Sequence, residues 1–299
     1  MPFTKFSLSD PLVQGILATG YTAPTEIQSK AIPAAVSGKD VIGCAQTGTG
    51  KTAAYVLPIL NRLSHEPPTD VESQTRHGSK DAKKVVRSLI LTPTRELAAQ
   101  VEASIREYGR FTPLRAAAIY GGVSIKGQLA VLRRGVDIVI ATPGRLMDHM
   151  RQRTIDLTRV EVLVLDEADR MLDMGFILDV RKIIGALPTE RQTMLFSATI
   201  SPEVKALSAG IMKNPEMIQI GVPRNPIETI TQHFYPVYKT AKIDLLLHML
   251  KNRQMTCVLV FSRTKHGADK IHRKLEKAGI HAIAMHSGRS QSQRERAMD

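Results

Sequence analysis

Cysteine is scarce in this sequence: Cys44 and Cys257 are the only two in 299 residues. Both lie in apolar, strand-like runs, which excludes a disulfide framework and fits a reducing compartment. Long apolar stretches are missing too, and none approaches the roughly 18–20 residues a membrane-spanning helix needs. The opening Met1-Pro2-Phe3-Thr4-Lys5-Phe6-Ser7 lacks the apolar core of a signal peptide. The expected location is therefore cytoplasmic, without a membrane partner. Acidic residues are in the minority, 28 against 41 lysines and arginines, for a formal charge of +13. That balance points to a polyanion, nucleic acid most simply, while leaving ribosomal or membrane-surface roles open. It is steepest at the end of the chain, where residues 222–299 hold 14 basic against 6 acidic side chains.

A chain of 299 residues exceeds the size at which one hydrophobic core stops growing, so two domains are expected. Apolar runs of strand length recur at Asp40–Ala45, Val85–Thr92, Ala116–Tyr120, Asp137–Ile140, Glu161–Asp166, Thr193–Ser197 and Met217–Ile220. Amphipathic stretches such as Arg95–Arg110 and Ser124–Arg134 separate most of them, the signature of a parallel α/β sheet, and residues 1–221 read as one domain. Gly221-Val222-Pro223-Arg224-Asn225-Pro226 reads as a break, with the linker at 222–228. A second domain over 229–299 is expected to carry strands Thr231–Val237, Thr256–Phe261 and His281–Met285 between helices Lys239–Leu250 and Lys265–Ala278. So few strands make that domain incomplete. The polar segment Glu66–Lys84 reads as an exposed loop.

Two short segments carry the chemistry. Ala45-Gln46-Thr47-Gly48-Thr49-Gly50-Lys51-Thr52 follows the pattern G-x-x-x-x-G-K-[ST], except for alanine at its first position. In that pattern backbone N–H groups wrap phosphates, the lysine meets the β and γ phosphates, and the hydroxyl binds magnesium. Asp166 and Glu167 close the apolar run Val162-Leu163-Val164-Leu165, which delivers carboxylates to the carboxyl edge of a sheet. Asp166 would then hold magnesium, and Glu167 would orient and deprotonate the attacking water. Upstream, Gly20-Tyr21-Thr22-Ala23-Pro24-Thr25-Glu26-Ile27-Gln28 offers an aromatic face in Tyr21 and an adenine-reading amide in Gln28, or else an ordinary helix start. No Asn-Lys-x-Asp tetrapeptide occurs, so the choice of base tilts to adenine. His266, His272, His281 and His286 make no convincing metal cluster and read as solvated, whereas Met171, Leu172, Met174 and Phe176 read as core.

Taken in order, these segments resemble the DEAD-box ATP-dependent RNA helicases, in particular their bacterial RhlE-like subgroup. The matching elements are Phe6 and the Gln28 segment (a Q-motif region over 4–32), Ala45–Thr52, Pro93-Thr94-Arg95-Glu96-Leu97-Ala98, Gly121-Gly122, Thr142-Pro143-Gly144-Arg145, Asp166–Asp169 and Ser197-Ala198-Thr199. Val258–Phe261 and Gln291-x-x-Arg294 follow. The resemblance implies two RecA-like P-loop domains with parallel sheets flanked by helices, the second incomplete. It implies ATP and Mg2+ as cofactors, single-stranded RNA and short RNA duplexes as partners, and a monomeric core. By it, Phe6, Tyr21, Thr25 and Gln28 would serve the base, and Lys51, Asp166 and Glu167 catalysis. Pro93, Thr94, Arg95, Gly121, Gly122, Thr142, Pro143, Gly144 and Arg145 would line the RNA track, although each also fits turn or helix-cap chemistry. Ser197 and Thr199 would bond near Asp169 and link nucleotide state to domain closure. Phe261, Arg263, Gln291 and Arg294 would approach RNA or the partner domain. The family's later arginine pair has no counterpart before Asp299, so a fragment with weak ATP binding and little unwinding is expected. An ATP-gated RNA clamp and a related DNA translocase stay open as alternatives.

Overall fold

The computed structural model describes residues 3–65, 85–221, 230–252 and 255–298. The segment expected as a loop at Glu66–Lys84 and the linker expected at 222–228 lie outside these residues. The chain divides into two compact units, Met1–Arg224 and Asn225–Asp299.

The first unit is built on seven short strands: β1 (Val41–Cys44), β2 (Ser88–Leu91), β3 (Ala116–Ile119), β4 (Ile138–Ala141), β5 (Val162–Leu165), β6 (Gln192–Ser197) and β7 (Glu216–Gln219). They pair in the order β3-β4-β2-β5-β6-β1-β7, every neighbouring pair parallel. Helices cross between them: α1 (Asp10–Ala18) and α2 (Glu26–Val36) before β1, then α3 (Lys51–His65), α4 (Arg95–Tyr108), α5 (Ile125–Arg133), α6 (Pro143–Arg151), α7 (Ala168–Asp173), α8 (Ile177–Gly185) and α9 (Pro202–Ile211).

Strand side chains alternate between two cores. Ile90, Ile138, Ile140, Val162, Val164, Met194 and Phe196 point to one face, where α1, α2, α3 and α4 bury Leu12, Ile27, Ile32, Leu57 and Val101 against them. Leu89, Leu91, Val139, Leu163, Leu165 and Leu195 point to the other, under Leu146 of α6, Met171 of α7, Val180 of α8 and Leu207 of α9. Both faces are covered, which is why the strands read as unbroken apolar runs. Each fully buried aliphatic contributes about 1.5–3 kcal/mol. Of the four residues read as core after β5, Met171 is buried and Leu172 and Phe176 pack partly against the second core, but Met174 is exposed because it caps α7.

Polar side chains fasten the amino-terminal ends of the strands. Asp40 accepts from the backbone N–H of Thr193 (2.7 Å) and Lys213 (2.6 Å), which ties β1 to β6 and to the approach to β7. Arg87 grips Glu161 with two nitrogens (2.6 and 3.2 Å) and donates to the Leu63 carbonyl, clamping β2 to β5. These groups are consumed by structure.

The second unit differs from the sequence expectation. It contains α10 (Lys242–Asn252), α11 (Lys265–Lys277) and the short α12 (Gln291–Glu295). Thr231–Val237, Thr256–Phe261 and His281–Met285 form no strand among the described residues. Their apolar pattern suits a ladder buried on both faces, yet among the described residues no opposing layer covers it, and Phe234 and Phe261 stand 90% and 87% exposed. His286, read as solvated, instead meets Asp269 (3.0 Å), which Arg289 also grips (2.6 Å).

One packing contact reverses a usual rule. Glycine inside a helix normally costs about 1 kcal/mol against alanine. Gly15 of α1, however, lies against the Tyr108 carbonyl at the end of α4, where a Cβ would collide with backbone. Gly15→Ala is therefore expected to destabilise the first unit by about 1–3 kcal/mol, read as a lower urea midpoint at unchanged slope.

Candidate active site

Parallel strands send all their carboxyl ends to one edge, and every segment of the first unit singled out above, except the helix-start region before β1, lies just beyond such an end. Along the edge the order is Gly121-Gly122 after β3, Thr142–Arg145 after β4, Pro93–Arg95 after β2, Asp166–Asp169 after β5, Ser197–Thr199 at the end of β6 and Ala45–Thr52 after β1. The edge thus has two halves, meeting between β2 and β5.

In the β5-β6-β1 half, Gly48 (φ +84°) and Gly50 (φ +90°) take the left-handed backbone that the loop turn requires. Ala45 has no positive φ, and its N–H continues the ladder to the Ser197 carbonyl (3.1 Å), so a methyl group is compatible with the first position. Lys51 is buried, and its ammonium donates to the carbonyls of Ala45 (2.6 Å) and Gln46 (3.1 Å). A buried cation whose hydrogen bonds go to neutral carbonyls suits a phosphate anion. Thr49 Oγ1 donates to the Gln46 carbonyl (2.7 Å) and fastens the turn, of which Thr47 is an exposed member.

Asp166, 2% exposed, accepts from the Tyr55 hydroxyl (2.7 Å) and from the Glu167 N–H (3.0 Å). Thr52 lies near the same phenol, which stands between the hydroxyl and the carboxylate that the sequence offers to magnesium. Burial, then Asp166, holds the Tyr55 phenol well above its ordinary range. Burial pushes the Asp166 carboxyl up to about 6, against the Tyr55 hydrogen bond and the Lys51 charge. No group of three or more His, Cys, Asp or Glu side chains able to hold a metal occurs among the described residues. A cation here would draw on Thr52, Asp166, phosphate oxygens and water, the ligand set magnesium prefers.

Glu167 sits in the left-handed region (φ 50°, ψ 51°) at the cap of α7, an uncommon and costly conformation for glutamate. Its carboxylate reaches toward Arg170 (3.4 Å). Asp169 accepts from both the N–H and the hydroxyl of Thr199 (2.9 Å each), and its own N–H donates to Ser197 Oγ (3.3 Å). Ser197 Oγ donates in turn to the Thr199 carbonyl (2.7 Å). The loops after β5 and β6 are thereby laced together.

Gln28 is fully buried: its Oε1 accepts from the Thr25 N–H (2.9 Å) as the far end of a capping box, and its Nε2 donates to the Gly50 carbonyl (3.0 Å). A Cβ on Gly50 would run into that amide. Phe6 is buried in an edge-on contact with Phe3 (5.9 Å), and Tyr21 lies between Phe3 (6.4 Å) and Tyr108 (6.1 Å). Burial, then the hydrogen bond to Tyr21, raises the Tyr108 phenol.

In the other half, Thr94 caps α4 by accepting from the Leu97 N–H (3.3 Å), and Thr142 precedes Pro143 at the start of α6. The Arg95 guanidinium lies over Gly121 and Gly122, where any side chain on Gly122 (φ +83°) would strike it. Gly144 faces open space. Arg145 donates to the Val123 carbonyl (3.1 Å) and Gln128 Oε1 (3.0 Å). Gln128 Nε2 donates to the Tyr120 carbonyl (2.9 Å), which fixes the amide's orientation. The buried His149 meets Gln128 Oε1 (3.3 Å) and Thr154 Oγ1 (2.8 Å), burial lowers its proton affinity, and Nε2 donates to the Gln128 amide oxygen.

The sequence reading missed Tyr55, Phe3, Gln128 and His149. Tyr55 had a signal: it follows Lys51 by four residues on one helix, hence on the same face. Gln128 and His149 had none, because their partnership depends on the order of strands in the sheet.

The family model for DEAD/DEAH box helicases matches residues 25–207, and that for the helicase conserved C-terminal domain matches 241–299. The chain belongs to the DEAD/DEAH box helicase family. An ATP-dependent RNA helicase CshA of Limosilactobacillus reuteri is 36% identical over 298 residues, which is 100% of this chain and 57% of that protein. A DEAD-box ATP-dependent RNA helicase RhpA of Helicobacter pylori is 38% identical over 98% of this chain and 56% of its own length. The Mycobacterium tuberculosis ATP-dependent RNA helicase DeaD is 40% identical over 99% and 50%. The chain thus spans about half the length of the curated relatives it matches. The crystal structure of a DEAD box protein from the hyperthermophile Methanococcus jannaschii superposes with a TM-score of 0.66 at 34% identity, covering 100% of this chain and 76% of the other.

The Asp166 shift fixes a pH dependence. Between its unfolded value near 4 and its folded value of about 6, the native chain keeps a proton that the unfolded chain has released. Asp166 therefore favours folding at the acid end of this window, and the contribution is lost as pH rises through about 6. The stability of the wild type relative to Asp166→Asn is expected to fall from pH 4 to pH 6.5 in urea unfolding; a flat difference would contradict the burial account.

Proposed function

We propose that this chain forms the nucleotide-binding part of an ATP-dependent RNA helicase, in which RNA-stimulated ATP hydrolysis drives local separation of short duplexes or remodelling of RNA–protein complexes. One observation carries the reading: the Asp166 carboxylate after β5 holds the Tyr55 hydroxyl of α3, one turn beyond Thr52, beside the buried Lys51 ammonium that donates to the loop carbonyls. That is a site for a phosphate chain and a hard cation.

Bound magnesium would neutralise charge on the phosphates. Lys51 would exchange its loop carbonyls for β and γ oxygens. Glu167, aimed by its left-handed backbone, would orient the attacking water and accept its proton, with Arg170 steadying the carboxylate. Gln28, already bonded to Gly50, would read adenine with its remaining donor and lone pair while Tyr21 supplies an aromatic edge. Asp169, Ser197 and Thr199 form the link by which a change at the phosphates reaches the rest of the edge. On the β2, β3 and β4 side, helix starts at Thr94 and Thr142 and the cations Arg95 and Arg145 suit the phosphates and sugars of RNA.

In the native protein carrying this chain, Glu167→Gln is expected to lower turnover about 10²-fold or more while leaving ATP affinity unchanged in a fluorescent-nucleotide titration. Single-stranded RNA is expected to stimulate the ATPase well above DNA of matched sequence. Undiminished turnover would remove Glu167 from the chemistry, and a preference for DNA would overturn the RNA assignment.

A further inference from the structure

β3 is the edge strand, and a groove runs along its flank that the proposed active site does not use. Its origin is the sequence Ala116-Ala117-Ala118 on β3 opposite Gly127 on α5: neither wall carries enough bulk to fill the space beside α4. The upper part is a cavity of about 240 Å³ that starts at Val123 and Ser124, next to the Gly121-Gly122 loop. The lower part, about 610 Å³, shares Glu102 and Val131 with it and opens at the amino-terminal edge of the sheet. Together they follow β3 for about 16 Å, the length of a five-residue strand.

The lower part is strongly cationic. Arg106, Arg110, Arg115 and Arg134 all line it and are exposed, against the single carboxylate of Glu102, which lies 3.8 Å from Arg106. Next to Arg110, Phe111 is 52% exposed. Guanidinium forks match phosphate oxygens, which makes the lower groove suited to the backbone of a nucleic acid.

We propose that this groove is a second RNA-binding site, which receives the strand leaving the Gly121-Gly122 loop and holds its phosphates on Arg106, Arg110, Arg115 and Arg134. It rests on the RNA reading of the carboxyl edge, and it adds a contact at the opposite edge of the sheet. An acidic peptide is the competing occupant; continuity with the glycine loop through Tyr120, Val123 and Ser124 favours RNA.

The test is fluorescence anisotropy on the 299-residue chain with two single-stranded RNAs, one of roughly six nucleotides that fills only the carboxyl edge and one of about 25 that reaches beyond it. Arg115→Ala combined with Arg134→Ala is expected to weaken the long RNA about tenfold or more and to flatten its salt dependence by roughly 1.4 in log–log slope, two contacts at about 0.7 each. The short RNA and ATP should bind as before. Gly127→Leu, at a position where a Cβ meets nothing within 4 Å, should fill the groove and give the same length-selective loss with every arginine present. Equal losses for both lengths, or none for the long RNA, would overturn the proposal. So would a glutamate-rich peptide that binds the wild type and not the arginine variant while the long RNA binds both alike. If the wild type binds neither RNA, the RNA reading itself falls, and this site falls with it.

Discussion

Everything at the functional edge depends on one constraint, the parallel alignment of seven strands. Parallel pairing forbids tight hairpins and forces a crossover after each strand. Each crossover begins at the same edge, so six separated segments of sequence are gathered into one row of loops. Strand order then decides which loops are neighbours: β6 sits between β5 and β1, which brings Ser197 and Thr199 between the acidic segment and the phosphate loop. The same order leaves β4 and β2 between β3 and the acidic segment, and this separates the half proposed to face RNA from the half proposed to face the nucleotide.

The two edges of the sheet treat similar side chains in opposite ways. At the amino-terminal edge, Asp40 and Glu161 are saturated by backbone N–H groups and by Arg87, which makes them fasteners. At the carboxyl edge, Lys51 donates to two loop carbonyls, Glu167 occupies a costly backbone region, and Asp166 is buried enough to hold its proton up to about pH 6. Such costs persist only where the surrounding core over-determines the geometry, and here two apolar layers do so. Stability is spent at the site to keep charged groups poised.

The strands of the first unit were legible because burial on both faces leaves continuous apolar runs bounded by turns, and all seven segments named from the sequence carry one. The phosphate loop was legible because it needs glycine at two positions with positive φ. The strand-like segments of the second unit show where this reasoning stops: Val258-Leu259-Val260-Phe261 has the composition of a buried strand, but composition cannot supply neighbours, and these residues are exposed. Long-range pairs were equally invisible. Nothing near Gln128 in the sequence announces that it will anchor both Arg145 and His149 across two crossovers.

The Gln28 amide has a consequence of its own. It is rigidly seated, with one end on its own helix start and the other on the Gly50 carbonyl at the hinge of the phosphate loop. Any group that tugs on this amide shifts the loop, because no slack separates them. A mismatched base would therefore leave its mark as a badly seated phosphate chain, so that discrimination surfaces as lost turnover more than as lost occupancy. On the proposed reading, a single side chain would make recognition at one end of a nucleotide and reactivity at the other into one mechanical event.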